Sequence, residues 1–370
     1  MRALLVRLLP LALILLVARS AHAGPWDLSL GGLAMPQLKW EQEDKSVNVV
    51  SPKQSGFALR LARIIAQGWY RGSKLTWEGR IEAEMIPGWQ LLDAYIAAGS
   101  ELRGGGFWRI SLGQQWTPFS RQSNTLVGDL QMVEFARLID LVPQRQLGLS
   151  AMLGVPYAPW LQLWFGVFNG KGINIIENLD TNFMYVGRIA FRPIGPRAPI
   201  IESGLGPNAL WIAANALYNK KNLGDYEETQ ILAGADLFAS FYGASLYFEF
   251  FYGKYTYSPG APKQNFDQAG LNLQLGYLLP IPGRLFRRFE LTFRFETVAP
   301  NRTIPITGPG DPTQGRGSFV GGINYYHRGH DLKLQLNYYH NFELDQTDPS
   351  GNPATYKNDS LILQLVYRLK

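Results

Sequence analysis

Strict two-residue alternation dominates this chain. In Leu271-Asn272-Leu273-Gln274-Leu275-Gly276-Tyr277 the odd positions are apolar and the even ones polar or small. Phe289 to Glu296, Leu332 to Tyr338 and Leu361 to Leu369 repeat the pattern. Alternation over so many residues specifies a strand with one apolar and one polar face. It excludes an amphipathic helix, whose apolar period is 3.6. A soluble sandwich turns the apolar face inward, whereas a membrane barrel turns it to lipid and leaves the polar face to a wet lumen. Alternation alone does not separate the two; segment length, count and loop rhythm do.

The N-terminus supplies the compartment. Arg2 and Arg7 precede an apolar run from Leu8 to Ala18, and Ala21-His22-Ala23 forms a small-x-small cleavage site before Gly24. Residues 1–23 therefore read as a secretory signal peptide and 24–370 as the exported domain. The apolar run is too short to span a bilayer as a helix. Cysteine is absent, which excludes disulfide scaffolds, thiolate metal sites and cysteine nucleophiles. Three arginines of the leader leave thirty-two basic residues against twenty-nine acidic ones, a net charge of +3 for the exported chain. That is too weak a surplus to indicate nucleic acid.

Strands are expected near 36–43, 57–68, 73–86, 89–99, 106–116, 144–155, 160–169, 182–192, 208–219, 228–238, 241–255, 265–279, 286–298, 317–328, 331–343 and 358–369. The total is sixteen, and most reach the ~9–11 residues that a tilted membrane strand requires. Short connections such as 70–72, 156–159 and 239–240 alternate with long ones such as 45–56, 117–143 and 299–316, the asymmetry of a membrane barrel. Two connections break the rhythm. Pro87-Gly88 is short for an external loop, and 193–207 is long for a turn on the opposite rim. Trp69, Tyr70, Trp89, Trp116, Trp160, Tyr338 and Tyr339 fall at strand ends, where girdle aromatics sit. The final strand resembles the C-terminal signal of outer-membrane proteins, except that it ends on Lys370 rather than an aromatic residue.

Several short motifs then fall in a telling order. Leu92-Asp93-Ala94-Tyr95, Leu112-Gly113-Gln114 and Thr117-Pro118-Phe119-Ser120 come first. Glu134 to Arg137, Arg145-Gln146-Leu147-Gly148-Leu149, Gly166-Val167-Phe168-Asn169-Gly170 and Gly187-Arg188-Ile189 to Arg192-Pro193 follow. Together they resemble the phosphate-selective porins O and P over about 57–193; the remainder matches only in strand rhythm. The resemblance implies a sixteen-stranded, trimeric, anion-conducting channel without a cofactor.

The longest connection, 117–143, is the third external loop in this count. Gln131, Glu134, Arg137 and Asp140 recur every three residues, opposite Leu130, Val133, Leu138 and Leu141, a helix-like pattern. Folded into the lumen, the loop would narrow the channel, with Arg121, Asp129, Glu134, Arg137 and Asp140 at the constriction. A surface helix capping the barrel, or packing at a subunit contact, is the alternative placement. Strand parity turns Arg60, Lys74, Arg80, Arg109, Arg188, Arg294 and Lys333 toward the lumen. It turns Glu78, Glu82, Glu84, Asp236, Glu249, Glu290 and Glu296 the same way, so the wall is close to neutral and anion preference rests on the resemblance.

Catalytic patterns are thin. Outside the leader the histidines are His327, His330 and His340, none at a spacing that converges on a metal, and no nucleophile is paired with a base. The expected protein is an outer-membrane porin in contact with lipid and small anions, assembled as a homotrimer. An outer-membrane barrel with a structural or enzymatic role and no open pore shares the same pattern.

Overall fold

The computed structural model describes residues 19–42, 55–195, 201–280, 288–302, 314–345, 351 and 358–369, with backbone alone for 19–23. Its strands are β1 (Arg19–Ala23), β2 (Trp26–Glu41), β3 (Gly56–Arg71), β4 (Thr76–Glu84), β5 (Gln90–Glu101), β6 (Phe107–Trp116), β7 (Arg145–Gly154), β8 (Leu161–Phe168) and β9 (Met184–Ile194). They continue as β10 (Ala209–Asn222), β11 (Glu227–Phe241), β12 (Ala244–Tyr257), β13 (Phe266–Leu278), β14 (Phe289–Ala299), β15 (Arg316–Tyr326), β16 (Leu332–Glu343) and β17 (Ser360–Leu369). From β2 to β17 each strand pairs antiparallel with the next, and β17 returns to β2 through Ser360↔Glu41 to Leu369↔Gly32. The sheet is therefore closed, a sixteen-strand barrel with no free edge. β1 pairs with β2 through Arg19↔Leu30 to Ala23↔Trp26, just beyond the point where β17 stops.

The alternation shows directly in burial. On β13 and β14, Leu275 is 43% exposed and Phe293 42%, while Asn272 and Arg294 are fully buried. A soluble sandwich would show the reverse. Apolar side chains outside and polar ones inside are the arrangement of a barrel standing in lipid. No helix among the described residues is long and apolar enough to cross a membrane.

The strand count agrees with the sequence pattern, but several boundaries do not. The first barrel strand starts at Trp26, not near 36. Gly31-Gly32 and Pro36 interrupt the pattern, and the register shifts between Ala34 and Pro36. The extra residue is on β3, where Arg60 and Leu61 oppose Met35, and it resets which side chains of β3 share a face. Both irregular connections are real: residues 85–89 join β4 to β5, and 195–208 join β9 to β10. Lys74 was expected on a strand but lies in the tight turn 72–75, where Gly72 N–H donates to the Leu75 carbonyl. It belongs to the rim rather than the wall.

Candidate functional site

The inner face of β3 to β7 carries a two-sided charge cluster. Arg63 reaches Glu82 (3.0 Å) and Glu84 (2.7 Å), Arg80 reaches Glu82 (2.6 Å), Arg109 reaches Glu78 (3.0 Å), and Arg145 reaches Asp93 (2.7 Å). Each charge has an opposite partner on its own strand or within two strands of it, which offsets the cost of holding it within the protein. In these pairs the arginine is the more solvent-exposed member. Arg109 is 31% exposed against 17% for Glu78, and Arg80 is 12% against 2% for Glu82.

The segment 117–144 leaves β6 and returns as β7. Its base is tied by Thr117 N–H to the Gln144 carbonyl and by the Thr117 hydroxyl to the Pro143 carbonyl. Ser120 and Asn124 make the first turn: Ser120 Oγ accepts from Ser123 N–H, and the Asn124 amide donates to the Thr117 and Ser120 carbonyls. Beyond it, the expected helical run through Leu130–Val142 is not formed. Two short 3₁₀ turns, Val127–Asp129 and Arg137–Leu141, flank non-helical chain.

The reason lies in where the backbone groups find partners. Val133 N–H donates to Asn337 (2.7 Å), Glu134 N–H to the Tyr339 hydroxyl (3.2 Å) and Arg137 N–H to Glu296 (3.0 Å). Carbonyls are met likewise. Lys333 donates to Leu130, Arg60 to Val133, Arg294 to Glu134 and Gln268 to Leu141. Side chains of β3, β13, β14 and β16 thus replace the ladder that a helix would have supplied for itself. The apolar residues Leu130, Val133 and Leu138 are fully buried as the pattern implies, but Gln131 from the polar stripe is buried too.

The candidate residues separate accordingly. Arg80 and Arg109 lie on the partly exposed charged arc, and Arg60 joins it to the segment through Glu134 at 2.6 Å. Arg188, Arg294 and Lys333 are buried. Arg188 holds Asp236 (2.7 Å) and the Phe119 carbonyl, Arg294 holds Gln274, and Lys333 contacts His330 at 3.1 Å. Arg121 stands over the rings of Phe238, Tyr247 and Trp211, its backbone N–H donating to Glu249. Asp129 pairs with Arg368 at 2.7 Å, and Arg137 reaches Asn341 at 2.6 Å. Asp140 keeps its side chain at the surface of the segment. The surrounding protein still raises its carboxyl above the usual range, chiefly by desolvation, with Arg137 opposing and Glu296 adding.

Charge counting missed two kinds of residue. Arg63 and Arg145 escaped the parity rule, Arg63 because the bulge at Ala34/Pro36 resets the face of β3. Neutral amides escaped because they carry no charge to count. Gln37, Gln364, Gln335 and Asn324 form a chain of side-chain hydrogen bonds across β2, β17, β16 and β15. Their signal was present in the sequence as glutamine and asparagine at inward positions.

No family model and no curated sequence matches this chain. Solved structures match its fold over nearly the whole length. The anion-selective porin from Comamonas acidovorans aligns with a TM-score of 0.65 at 12% identity, covering 93% of this chain and 99% of that one. The outer membrane channel DcaP of Acinetobacter baumannii aligns at 0.60 and 11% identity over 95% and 100%. The trimer form of OmpT, an outer membrane protein of Vibrio cholerae, aligns at 0.60 and 10% identity over 93% and 99%. Identities this low establish the sixteen-strand porin fold and no more.

Proposed function

We propose that this protein is an outer-membrane porin, exported by removal of residues 1–23, that admits small hydrophilic anions by passive diffusion. Segment 117–144 folds into the lumen and leaves the β3 to β7 arc as the water path. The observation that carries this reading is the set of bonds from that one segment to inner-face side chains of β3, β9, β12, β13, β14, β16 and β17. A loop lying over the outside of the mouth would not reach them all.

Anion preference has its own support in the arc. The arginines stand further into water than their acid partners, so a passing solute meets guanidinium first. Close-range charge at a narrow section biases permeation by sign. Phosphate is the solute implied by the sequence resemblance, and the fold match to an anion-selective porin agrees in sign. A homotrimer is the assembly in keeping with the trimeric fold neighbour.

Purified protein reconstituted in a planar bilayer under a potassium chloride gradient tests the proposal. Discrete channels whose reversal potential favours chloride are expected, with phosphate competing for the current. A cation-favouring reversal potential would overturn the anion reading, and absence of channels would overturn the porin reading.

A further inference from the structure

The connection 195–208 is longer than a turn needs, and its described part makes unexpected bonds. Gly204 N–H donates to Glu290 Oε1 at 2.9 Å, and Ser203 Oγ lies 2.9 Å from His330 Nε2. The same Glu290 oxygen accepts from Gln131 Nε2 of segment 117–144 at 2.8 Å. Glu290 Oε2 accepts from the Tyr326 hydroxyl (2.5 Å) and Asn324 Nδ2 (3.2 Å). Four donors meet a carboxylate that offers about four lone-pair sites, so this fully buried acid is saturated. Antiparallel pairing puts 117–144 and 195–208 on opposite rims, since one follows β6 and the other β9. Two chains from opposite ends of the barrel therefore share one carboxylate oxygen.

Packing requires the same approach. Gly204 is seated so tightly on the β11–β12 turn that an added Cβ would come within 2.0 Å of the Gly243 carbonyl oxygen. Glu202, beside it, is fully buried, and its carboxylate lies within reach of the amides of Gln122 (3.5 Å) and Gln274 (3.4 Å).

We infer that Glu290 is a positioning residue that clasps segment 117–144 to residues 203–204, closing the β12 to β16 side of the lumen and confining conduction to the β3 to β7 arc. The inference rests on the channel reading above. Its chemistry requires an acceptor oxygen at that point. A methionine of similar length offers no oxygen acceptor, so Gln131 and Gly204 would both lose their shared partner and the clasp would open.

The test compares wild type, Glu290→Met and Gly204→Ala in planar bilayers, with barrel folding followed by heat-modifiable gel mobility. Both variants should fold. Both should raise single-channel conductance roughly two-fold, as a closed arc of a sixteen-strand lumen becomes a second water path. Each should also admit larger neutral polyethylene glycols than wild type. Gly204→Ala reaches the clasp without altering Glu290, so it decides the matter if Glu290→Met fails to fold. Folded variants with wild-type conductance and size limit would overturn the clasp alone. A silent wild type would overturn the channel reading and this inference with it.

Discussion

Two sides of one barrel wall treat the same residue types in opposite ways. On β12 to β16, Glu249, Glu290, Arg294, Lys333 and Asn337 are buried and spend their hydrogen bonds on segment 117–144 or its neighbours. On β3 to β6, Arg63, Arg80 and Arg109 bond to acids of the same wall, Arg80 also to Gln67, and keep part of their surface in water. Identical strand alternation produces both. What differs is whether another stretch of chain is at hand to use the donors and acceptors. Inward polarity therefore marks a lumen, and only the partner decides whether a charge holds structure or meets solute.

The largest effect that probes this comparison concerns the outer face, which is the same on both sides. Phe293→Arg puts a charge into lipid at a cost of ~2–4 kcal/mol and should impair assembly in a folding assay. By sequence pattern alone, arginine one residue away at Thr292, or at Asn272, should be tolerated. The structure changes that expectation. Both side chains are buried, so arginine there should still allow insertion but displace the neighbouring chain and alter conductance. If Phe293→Arg and Asn272→Arg assemble equally well, the assignment of faces is wrong.

A smaller effect separates the two sides directly. Arg294→Met leaves the Glu134 carbonyl and Gln274 without a buried donor, a cost of about 1–3 kcal/mol that should appear in thermal unfolding. Arg109→Gln on the open arc should change stability by less than about 1 kcal/mol, because partly exposed pairs are screened. It should instead shift the reversal potential toward cations, since Glu78 keeps Gln67 and Tyr95 but loses its cationic partner. A selectivity change from Arg294→Met without loss of stability would erase the distinction.

The smallest effect is in pH. The Asp140 carboxyl is raised in the folded protein, so just above the usual carboxylate range the folded chain holds a proton that the unfolded chain has lost. Its contribution to stability accordingly falls as pH rises through that window. Lowering pH through the same window neutralises Asp140 ahead of ordinary carboxylates and should increase anion preference slightly. Asp140→Asn should remove that step; a pH profile unchanged by the substitution would show that Asp140 stands away from the conducting path.

Much of the fold was legible because a barrel strand writes its two environments into consecutive residues. Leu273 and Asn272, or Phe293 and Arg294, declare outside and inside without any tertiary knowledge. The first half of β2 was not legible, because Gly31-Gly32 carry no pattern and Leu33 and Met35 turn apolar side chains inward, against Val127 and Leu130. The site was only half legible. Strand parity turns Arg80 and Arg294 inward alike, yet one keeps part of its surface in water and the other supports the Glu134 carbonyl. The helical pattern of 130–142 pointed to a helix because sequence shows a segment's own hydrogen-bonding capacity. It does not show that Asn337, Tyr339 and Lys333, some two hundred residues later, will take that capacity over.

The central claim is that segment 117–144 occupies the lumen and leaves one charged arc open. Replacing residues 124–140 with a short glycine-serine bridge and measuring single-channel conductance tests it most directly. With the lumen relieved of the segment, conductance should rise at least about two-fold, toward that of an unobstructed sixteen-strand pore. A folded deletion variant with wild-type conductance would show that the segment does not narrow the channel, and would contradict the account.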